Sequence, residues 1–162
     1  ILNFSSWVSR PGHEASGSQL FHRDYDDLRH LKLFVYLSDV DDLEDGPHIF
    51  SPGSHQIERI RKIRDTWGGG EKDFNVWYFQ SLRKHDEDVA AVFGENFAGI
   101  LGKMGTRFLV DTTGLHRGQP PIRKDRLLTQ CVYGITPHVP PFDLELPTVK
   151  GARGYTQMLF AA

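Results

Sequence analysis

The sequence has only one cysteine in 162 residues, so no disulfide can form within the chain. Long apolar runs are also missing, since the stretch Leu31–Leu37 is interrupted by Lys32, whereas a membrane-spanning helix needs about 20 apolar residues. There is no basic excess of the kind that neutralises nucleic-acid phosphates: 19 Lys and Arg face 21 Asp and Glu, and the net charge is −2. We therefore expect no membrane and no nucleic-acid partner.

Length and composition predict a single domain over residues 1–162. Hydrophobic residues make up 39% and charged residues 25% of the chain, as in ordinary soluble domains. Cys131 stands alone in a strand-like segment, which is typical of a small buried residue in a reducing compartment, so we expect a cytoplasmic protein. The chain begins at Ile1 rather than at a methionine, so we expect that a segment lies upstream.

Short segments rich in β-branched and aromatic residues, separated by single glycines and prolines, predict a mainly β protein. Seven such segments suggest a sandwich or a barrel. In one of them an aliphatic face alternates with a mixed face that carries Lys32, Phe34 and Tyr36. The predicted strands are Leu2–Val8, Gln19–Asp24, Leu31–Ser38, His48–Ser51, Phe97–Leu101, Thr106–Asp111 and Leu127–Tyr133.

Two short helices are predicted in the middle of the chain. Ile57, Ile60 and Ile63 recur every third residue among charged residues, which fits a surface helix. The run Asp86–Phe93 begins with acidic residues and is followed by Gly94, a pattern typical of the two ends of a helix. Prolines from residue 137 onward predict an extended tail.

His22 and Asp24 are the first candidates for chemistry. In a strand, residues i and i+2 project from the same face, so an imidazole nitrogen and a carboxylate oxygen can reach one metal ion. A histidine from a distant strand would complete a facial triad of two histidines and one carboxylate, which binds non-haem iron(II) and leaves coordination positions open. His116 follows a strand-like segment and a turn, and is the obvious third residue.

The other histidines have simpler interpretations, and a His-x-Asp pair also arises by chance. His85 and Glu87 share the spacing of the first pair but lie in a charged run that predicts a helix start, where i and i+2 do not share a face. Histidines without a carboxylate two residues on are interpreted as surface or structural residues. These are His13, His30, His48, His55 and His138.

Six blocks of the chain, taken in order, carry a more specific signal. They are Gln19–Asp24, Leu31–Asp39, Asp45–His55, Gly105–Asp111, Gly114–Gly118 and Arg126, and the third contains Ser51-Pro52-Gly53-Ser54-His55. Together they resemble the phytanoyl-CoA dioxygenase-like family of iron(II)- and 2-oxoglutarate-dependent oxygenases. The resemblance spans residues 19 to 133.

The resemblance implies that His22, Asp24 and His116 are the iron ligands. It also implies that Arg126 pairs with the distal carboxylate of 2-oxoglutarate, and a guanidinium does offer a planar fork of donors that fits a carboxylate.

Three further residues are candidates for the cosubstrate site. Tyr36 matches a family position that borders the cosubstrate. Lys32 shares the face of Tyr36 and would need a carboxylate partner if it is buried. Gln19 has two interpretations, a contact to the cosubstrate or a structural role at a strand end.

The implied fold is a double-stranded β-helix, a cupin-like jelly-roll barrel with short peripheral helices. The implied enzyme is an iron(II)/2-oxoglutarate-dependent dioxygenase that uses dioxygen to hydroxylate a small organic substrate and releases succinate and CO2. Family members usually have a largely helical region before the His-x-Asp segment, and nearly all of it is missing here. The family name suggests a coenzyme A substrate. The basic cluster Arg59–Arg64, which could bear on such a substrate, is more simply interpreted as the solvated face of a helix. Substrate and oligomeric state are not determined by the sequence.

Two other functions stay open. A barrel of this kind could bind a small ligand or a metal without turnover, although the complete triad and Arg126 favour an enzyme. A zinc hydrolase could use the same three ligands, but that function would not explain the presence of Arg126.

Overall fold

Seven antiparallel strands form two sheets in residues 1–135, the part of the chain that the computed structural model describes. The larger sheet has the order β1 (Asn3–Ser9), β7 (Arg126–Gly134), β2 (His30–Tyr36) and β5 (Arg107–Val110). The smaller sheet has the order β4 (Ala98–Ile100), β3 (His48–Phe50) and β6 (His116–Gly118). The prediction of a mainly β protein with a few short helices is confirmed.

Strand β2 turns its mixed face inward. Lys32, Phe34 and Tyr36 are buried, whereas Leu31 on the aliphatic face is 45% exposed. The strand lies between β7 and β5, so its inward-facing side chains project from an interior strand of the larger sheet. A lysine in such a place needs a partner of opposite charge, and Asp24 supplies one.

Tyr36 joins the two sheets. Its hydroxyl donates a hydrogen bond to the carbonyl of Ile100 on β4 (2.7 Å) and accepts one from the backbone N–H of His48 on β3 (2.9 Å). The side chain is fully buried in an apolar cluster that includes Phe34 and Leu128 from the larger sheet. The interior between the sheets is thus held by apolar packing and by one bridging hydroxyl group.

Replacing Tyr36 with phenylalanine should lower the free energy of unfolding by about 1–3 kcal/mol, because the buried N–H of His48 and the carbonyl of Ile100 lose their partner. Urea unfolding followed by tryptophan fluorescence measures the change. Tyr133→Phe is the matched control, since the Tyr133 hydroxyl contacts the weakly polar thiol of Cys131. Equal losses in the two variants would contradict the bridging role of Tyr36.

Between β3 and β4, in residues 51–97, the chain forms three short helices. They are α1 (Ile57–Asp65), α2 (Gly70–Asn75) and α3 (Asp86–Phe93), and a π-helical turn, Val76–Gln80, follows α2. Their apolar side chains pack in a second cluster around Phe21. Helices α1 and α3 were predicted. Helix α2 was not predicted, because its six residues follow two glycines and their apolar residues show no helical periodicity.

The segment predicted as strand Gln19–Asp24 is not a regular strand. It begins with a 3-10 turn that ends at Gln19. Phe21 then makes an isolated bridge on one side, and His22 makes one to His116 on the other. Because the two partners lie on different parts of the chain, no ladder of hydrogen bonds extends along this segment.

Three other expectations concern the environment of the chain and its end. No helix within residues 1–135 is long and apolar enough to cross a membrane. Cys131, in β7, is a free thiol that is partly rather than fully buried. The predicted proline-rich tail and His138 lie outside the described residues.

Candidate active site

His22, Asp24 and His116 lie together, with one ligand atom from each residue within 4.8 Å of the others. Nε2 of His22 is 3.7 Å from Oδ1 of Asp24, and Nε2 of His116 is 3.2 Å from Oδ2 of the same carboxylate. The centroids of the two imidazole rings are 4.3 Å apart. The structure therefore brings the three predicted metal ligands to one point.

Backbone carbonyls determine which nitrogen of each imidazole faces Asp24. Nδ1 of His22 donates to the carbonyl of Leu20 (2.8 Å), and Nδ1 of His116 donates to the carbonyl of Gly114 (3.0 Å). A carbonyl only accepts, so Nδ1 carries the proton and Nε2 is left for a metal. Burial, together with the neighbouring imidazole of His116, lowers the pKa of His22 to about 4. His22 is therefore neutral near pH 7, which is the form that coordinates a metal.

Reciprocal backbone hydrogen bonds join the two histidine segments. The N–H of His22 donates to the carbonyl of His116 (2.9 Å), and the N–H of His116 donates to the carbonyl of His22 (3.0 Å). Arg23, between the first two ligands, points the other way and lies over the ring of Tyr78 at 4.3 Å. His22 and Asp24 thus share one side of an extended segment even though that segment is not a regular strand.

The Ser-Pro-Gly-Ser-His block holds the chain that leads into His116. The hydroxyl of Ser54 donates to the carbonyl of Ser51 (2.7 Å) and accepts from the N–H of Leu115 (2.7 Å). The N–H of Ser51 donates to the carbonyl of Leu115 (2.9 Å). All three residues are buried, so water does not compete for these bonds. The block therefore positions the third ligand from a loop that is distant in sequence.

Lys32 lies beside the carboxylate of Asp24. Its Nζ is 2.6 Å from Oδ2 of Asp24 and 2.8 Å from Oδ2 of Asp26. These contacts provide the partner that a buried lysine requires. Burial disfavours the charge on Asp24, but the neighbouring imidazole of His116 and the hydrogen-bonded cation of Lys32 outweigh it and hold the pKa of Asp24 well below its usual range.

The three ligands line a cavity of about 330 Å³. Lys32, Arg83 and Arg126 line the same cavity. Among the described residues that line it, Asp24 is the only acidic one. The cavity therefore has a positive balance of charge and suits an anionic molecule.

Arg126 begins β7 and is 3% exposed. Its Nη1 donates to the carbonyl of Gly46, and its Nη2 donates to the hydroxyl of Ser9 (2.8 Å). Its Nε has no hydrogen-bond partner within the described structure. Burial lowers the pKa of Arg126, but a guanidinium keeps its charge at neutral pH. The protein thus holds a buried cation in a fixed direction while leaving donors free for an anion.

Two glycines allow this position of the guanidinium. Gly46 has a φ of +77°, in the left-handed region, and a Cβ there would lie 2.7 Å from the carbonyl oxygen of Gln119. A Cβ at Gly118 would lie 3.1 Å from Nη2 of Arg126. Gly46 therefore turns its carbonyl towards Arg126, and Gly118 leaves space for the charged group.

Tyr36 and Gln19 are not among the residues that line the cavity. The hydroxyl of Tyr36 is occupied by backbone groups of the smaller sheet, so this residue supports the cavity from behind. The side-chain carbonyl of Gln19 accepts a hydrogen bond from the N–H of Ser16 (3.3 Å) and caps its own turn. Ser18, next to Gln19, lines the cavity instead.

Among the cavity residues that the sequence did not mark are His48 and Arg83. His48 was interpreted as a surface or structural histidine, but it is buried and lines the cavity, and its ring stacks on that of His116 at 5.4 Å. Burial, with the charges of His116 and Arg126, keeps the pKa of His48 well below its usual range. Arg83 is exposed and lies in the loop before α3. No local pattern marks either residue.

Two of the remaining histidines have the positions that were expected. His85 is exposed at the start of α3, where its backbone N–H donates to the carboxylate of Asp88 (3.4 Å). His30 is buried, with Nε2 3.1 Å from the hydroxyl of Thr112. Neither lines the cavity that contains the triad.

A larger groove, of about 760 Å³, lies elsewhere on the surface. Arg23, His55 and Phe79 are among the residues that line it, and it contains neither the triad nor Arg126. We place the candidate site in the smaller cavity because that cavity contains the metal-ligating atoms together with the buried cation.

Comparisons with known proteins identify the fold. No protein-family model and no curated protein matches the chain. Similar solved structures include AviO1 from Streptomyces viridochromogenes Tue57, which is 18% identical over 85% of this chain and 51% of its own, with a TM-score of 0.51. HygX from Streptomyces hygroscopicus, solved with nickel and 2-oxoglutarate bound, is 20% identical over 84% of this chain and 56% of its own (TM-score 0.47). An N-substituted L-amino acid dioxygenase from Burkholderia ambifaria AMMD is 13% identical over 80% and 48% (TM-score 0.40).

The chain thus spans about half the length of these proteins. At such low identity, structural likeness is evidence for fold and not for activity. The similarity to AviO1 shows that 85% of this chain shares the fold of the matching half of AviO1.

Proposed function

We propose that this chain is an iron(II)/2-oxoglutarate-dependent dioxygenase, similar to the phytanoyl-CoA dioxygenase-like family, which hydroxylates a small organic substrate and releases succinate and CO2. The observation that carries the proposal is the presence of a His-Asp-His cluster and a buried arginine in one cavity. A zinc hydrolase would need the cluster but not Arg126. We interpret the two sheets and the core between them as a double-stranded β-helix.

The donor set fits iron(II). Nε2 of His22, Nε2 of His116 and a carboxylate oxygen of Asp24 form a facial triad, which leaves several positions on a metal open to other ligands. Lys32 keeps the Asp24 carboxylate in place and ionised. Iron bound here would supply the activation of dioxygen and the oxidation of a substrate C–H bond.

The charge of the cavity fits a dicarboxylate. Arg126 is held by Gly46 and Ser9 before any ligand arrives, so little reorganisation is needed when it binds a carboxylate. The two negative charges of 2-oxoglutarate would offset the cationic side chains of the cavity wall. The role of this part of the protein is to orient the acid with one end at the metal-binding cluster and the other end at Arg126.

The proposal predicts that 2-oxoglutarate binds only when the metal site is loaded, and that it is consumed only with iron(II) and dioxygen. Calorimetry on the manganese-loaded chain measures binding, and succinate release in air measures turnover. Asp24→Ala should abolish both, whereas Asp88→Ala, at an exposed position on α3, should change neither. Metal-dependent binding without succinate would contradict the enzyme and support a non-catalytic module. Absence of metal-dependent 2-oxoglutarate binding would contradict the enzyme.

A further inference from the structure

His48 is a buried imidazole with an unsatisfied nitrogen beside the candidate site. The residue is 3% exposed, and its Nε2 has no hydrogen-bond partner within the described structure. Buried polar atoms nearly always have a partner, and those that lack one need an explanation. Because His48 lines the cavity that contains the triad and Arg126, a molecule bound in that cavity is the natural source of the partner.

Packing holds the imidazole of His48 in this position. Its ring centroid lies 4.8 Å from that of Phe34 and 5.6 Å from that of Phe108. It also stacks on the ring of His116, with an interplanar angle of 17°. The backbone N–H of His48 is bound to the Tyr36 hydroxyl, which fixes the strand beneath the ring. The side chain is therefore preorganised rather than free to turn towards water.

The register of the smaller sheet places His48 at the level of Arg126. His48 pairs with Gly118 on β6, and Gly118 is the residue whose missing Cβ leaves space for the Arg126 guanidinium. Phe50, two residues further along β3, pairs with the metal-ligating position His116. The backbone of His48 is thus on the Arg126 side of the site, while its ring also stacks on that of His116.

We propose that His48 is a cosubstrate-binding residue that donates a hydrogen bond from its ring to the distal carboxylate of 2-oxoglutarate, which Arg126 also binds. This inference rests on the function proposed above. A carboxylate held by an arginine and a second N–H donor is bound by charge-assisted hydrogen bonds, which are stronger than those between neutral groups. The pair would favour 2-oxo acids that have a second carboxylate over those that lack one.

His48→Phe tests the inference, because phenylalanine keeps the packing against Phe34 and Phe108 but removes both ring nitrogens. We expect 2-oxoglutarate to bind the manganese-loaded variant at least about tenfold more weakly by calorimetry. Binding of manganese alone, and of 2-oxobutanoate, which has no distal carboxylate, should stay within about twofold of the parent chain. His48→Gln, which restores a side-chain N–H, should recover part of the loss.

The control is His85→Phe, which changes an exposed histidine that lies outside the cavity and should leave both affinities unchanged. His48→Leu is a second variant without ring nitrogens and should reproduce the loss if the phenylalanine variant does not fold. Equal weakening of both 2-oxo acids, or undiminished 2-oxoglutarate binding, would overturn the role of His48. If the parent chain binds neither acid when loaded with metal, the proposed function fails and this inference fails with it.

Discussion

Replacing His116 with alanine should abolish iron(II) binding. The parent protein should bind about one iron(II) ion per chain. Two of the three candidate ligands would remain, both from the segment His22–Asp24. Loss of a residue that merely orients a metal ligand weakens binding by about 10- to 100-fold, so loss of a ligand itself should cost more. Anaerobic titration in competition with a chelator measures the affinity.

The backbone makes this variant informative. The hydrogen bonds between the His22 and His116 segments involve main-chain atoms only, so the alanine variant keeps the pairing that brings the segments together. His85→Ala is the matched control, because His85 is exposed, immediately precedes α3 and lies outside the cavity. An unchanged iron stoichiometry in His116→Ala, or an equal loss in His85→Ala, would show that the metal ligands are assigned wrongly.

Replacing Arg126 with alanine should weaken 2-oxoglutarate binding by about 30- to several-thousand-fold. This range corresponds to the roughly 2–5 kcal/mol that is lost when one partner of a buried, hydrogen-bonded charge pair is removed. Iron binding should persist, since the described contacts of Arg126 are to Gly46 and Ser9 and not to the triad. Calorimetric titration of 2-oxoglutarate into the metal-loaded variant measures the first effect, and the chelator assay measures the second.

Arg126→Lys separates charge from geometry. An ammonium keeps the positive charge but loses the planar fork, so it should recover only part of the affinity. Ser9→Ala removes one hydrogen bond that holds the guanidinium and should have a much smaller effect, which controls for loss of support around Arg126. If Arg126→Ala binds 2-oxoglutarate as tightly as the parent chain, the acid does not bind at Arg126.

Local patterns in the sequence predicted a large part of the candidate site. The i, i+2 spacing of His22 and Asp24 places both on one side of an extended segment, and this follows from the alternation of side chains along an extended backbone. The same period of two explains why Lys32 enters the interior beside Phe34 and Tyr36, and why Leu128 and Gln130 line the cavity together with Arg126. The need of a buried lysine for a carboxylate was also predictable, because burial of an unpaired charge is costly.

The identity of the partners was decided by contacts between distant segments. Asp24 and Asp26 satisfy Lys32, the Ser51–His55 block holds the residue before His116, and Tyr36 uses its hydroxyl to join the sheets instead of lining the cavity. Gln19 caps its own turn, and the predicted strand that follows it makes single bridges to two separate elements. These outcomes depend on which main-chain groups meet in three dimensions, and the local sequence does not encode that pairing.

Sequence alone therefore predicted which residues form the candidate site, while the tertiary structure determined how they are arranged. The short i, i+2 spacing marked His22 and Asp24 as candidate ligands, because that property is local, whereas the role of Arg126 was predicted only from the family resemblance. The place of His48 depends on the register of β3 against β6, which sets it opposite Gly118 and beside Arg126. A register between strands that are far apart in sequence is decided by the packing of the whole core, so no local pattern could have marked this residue.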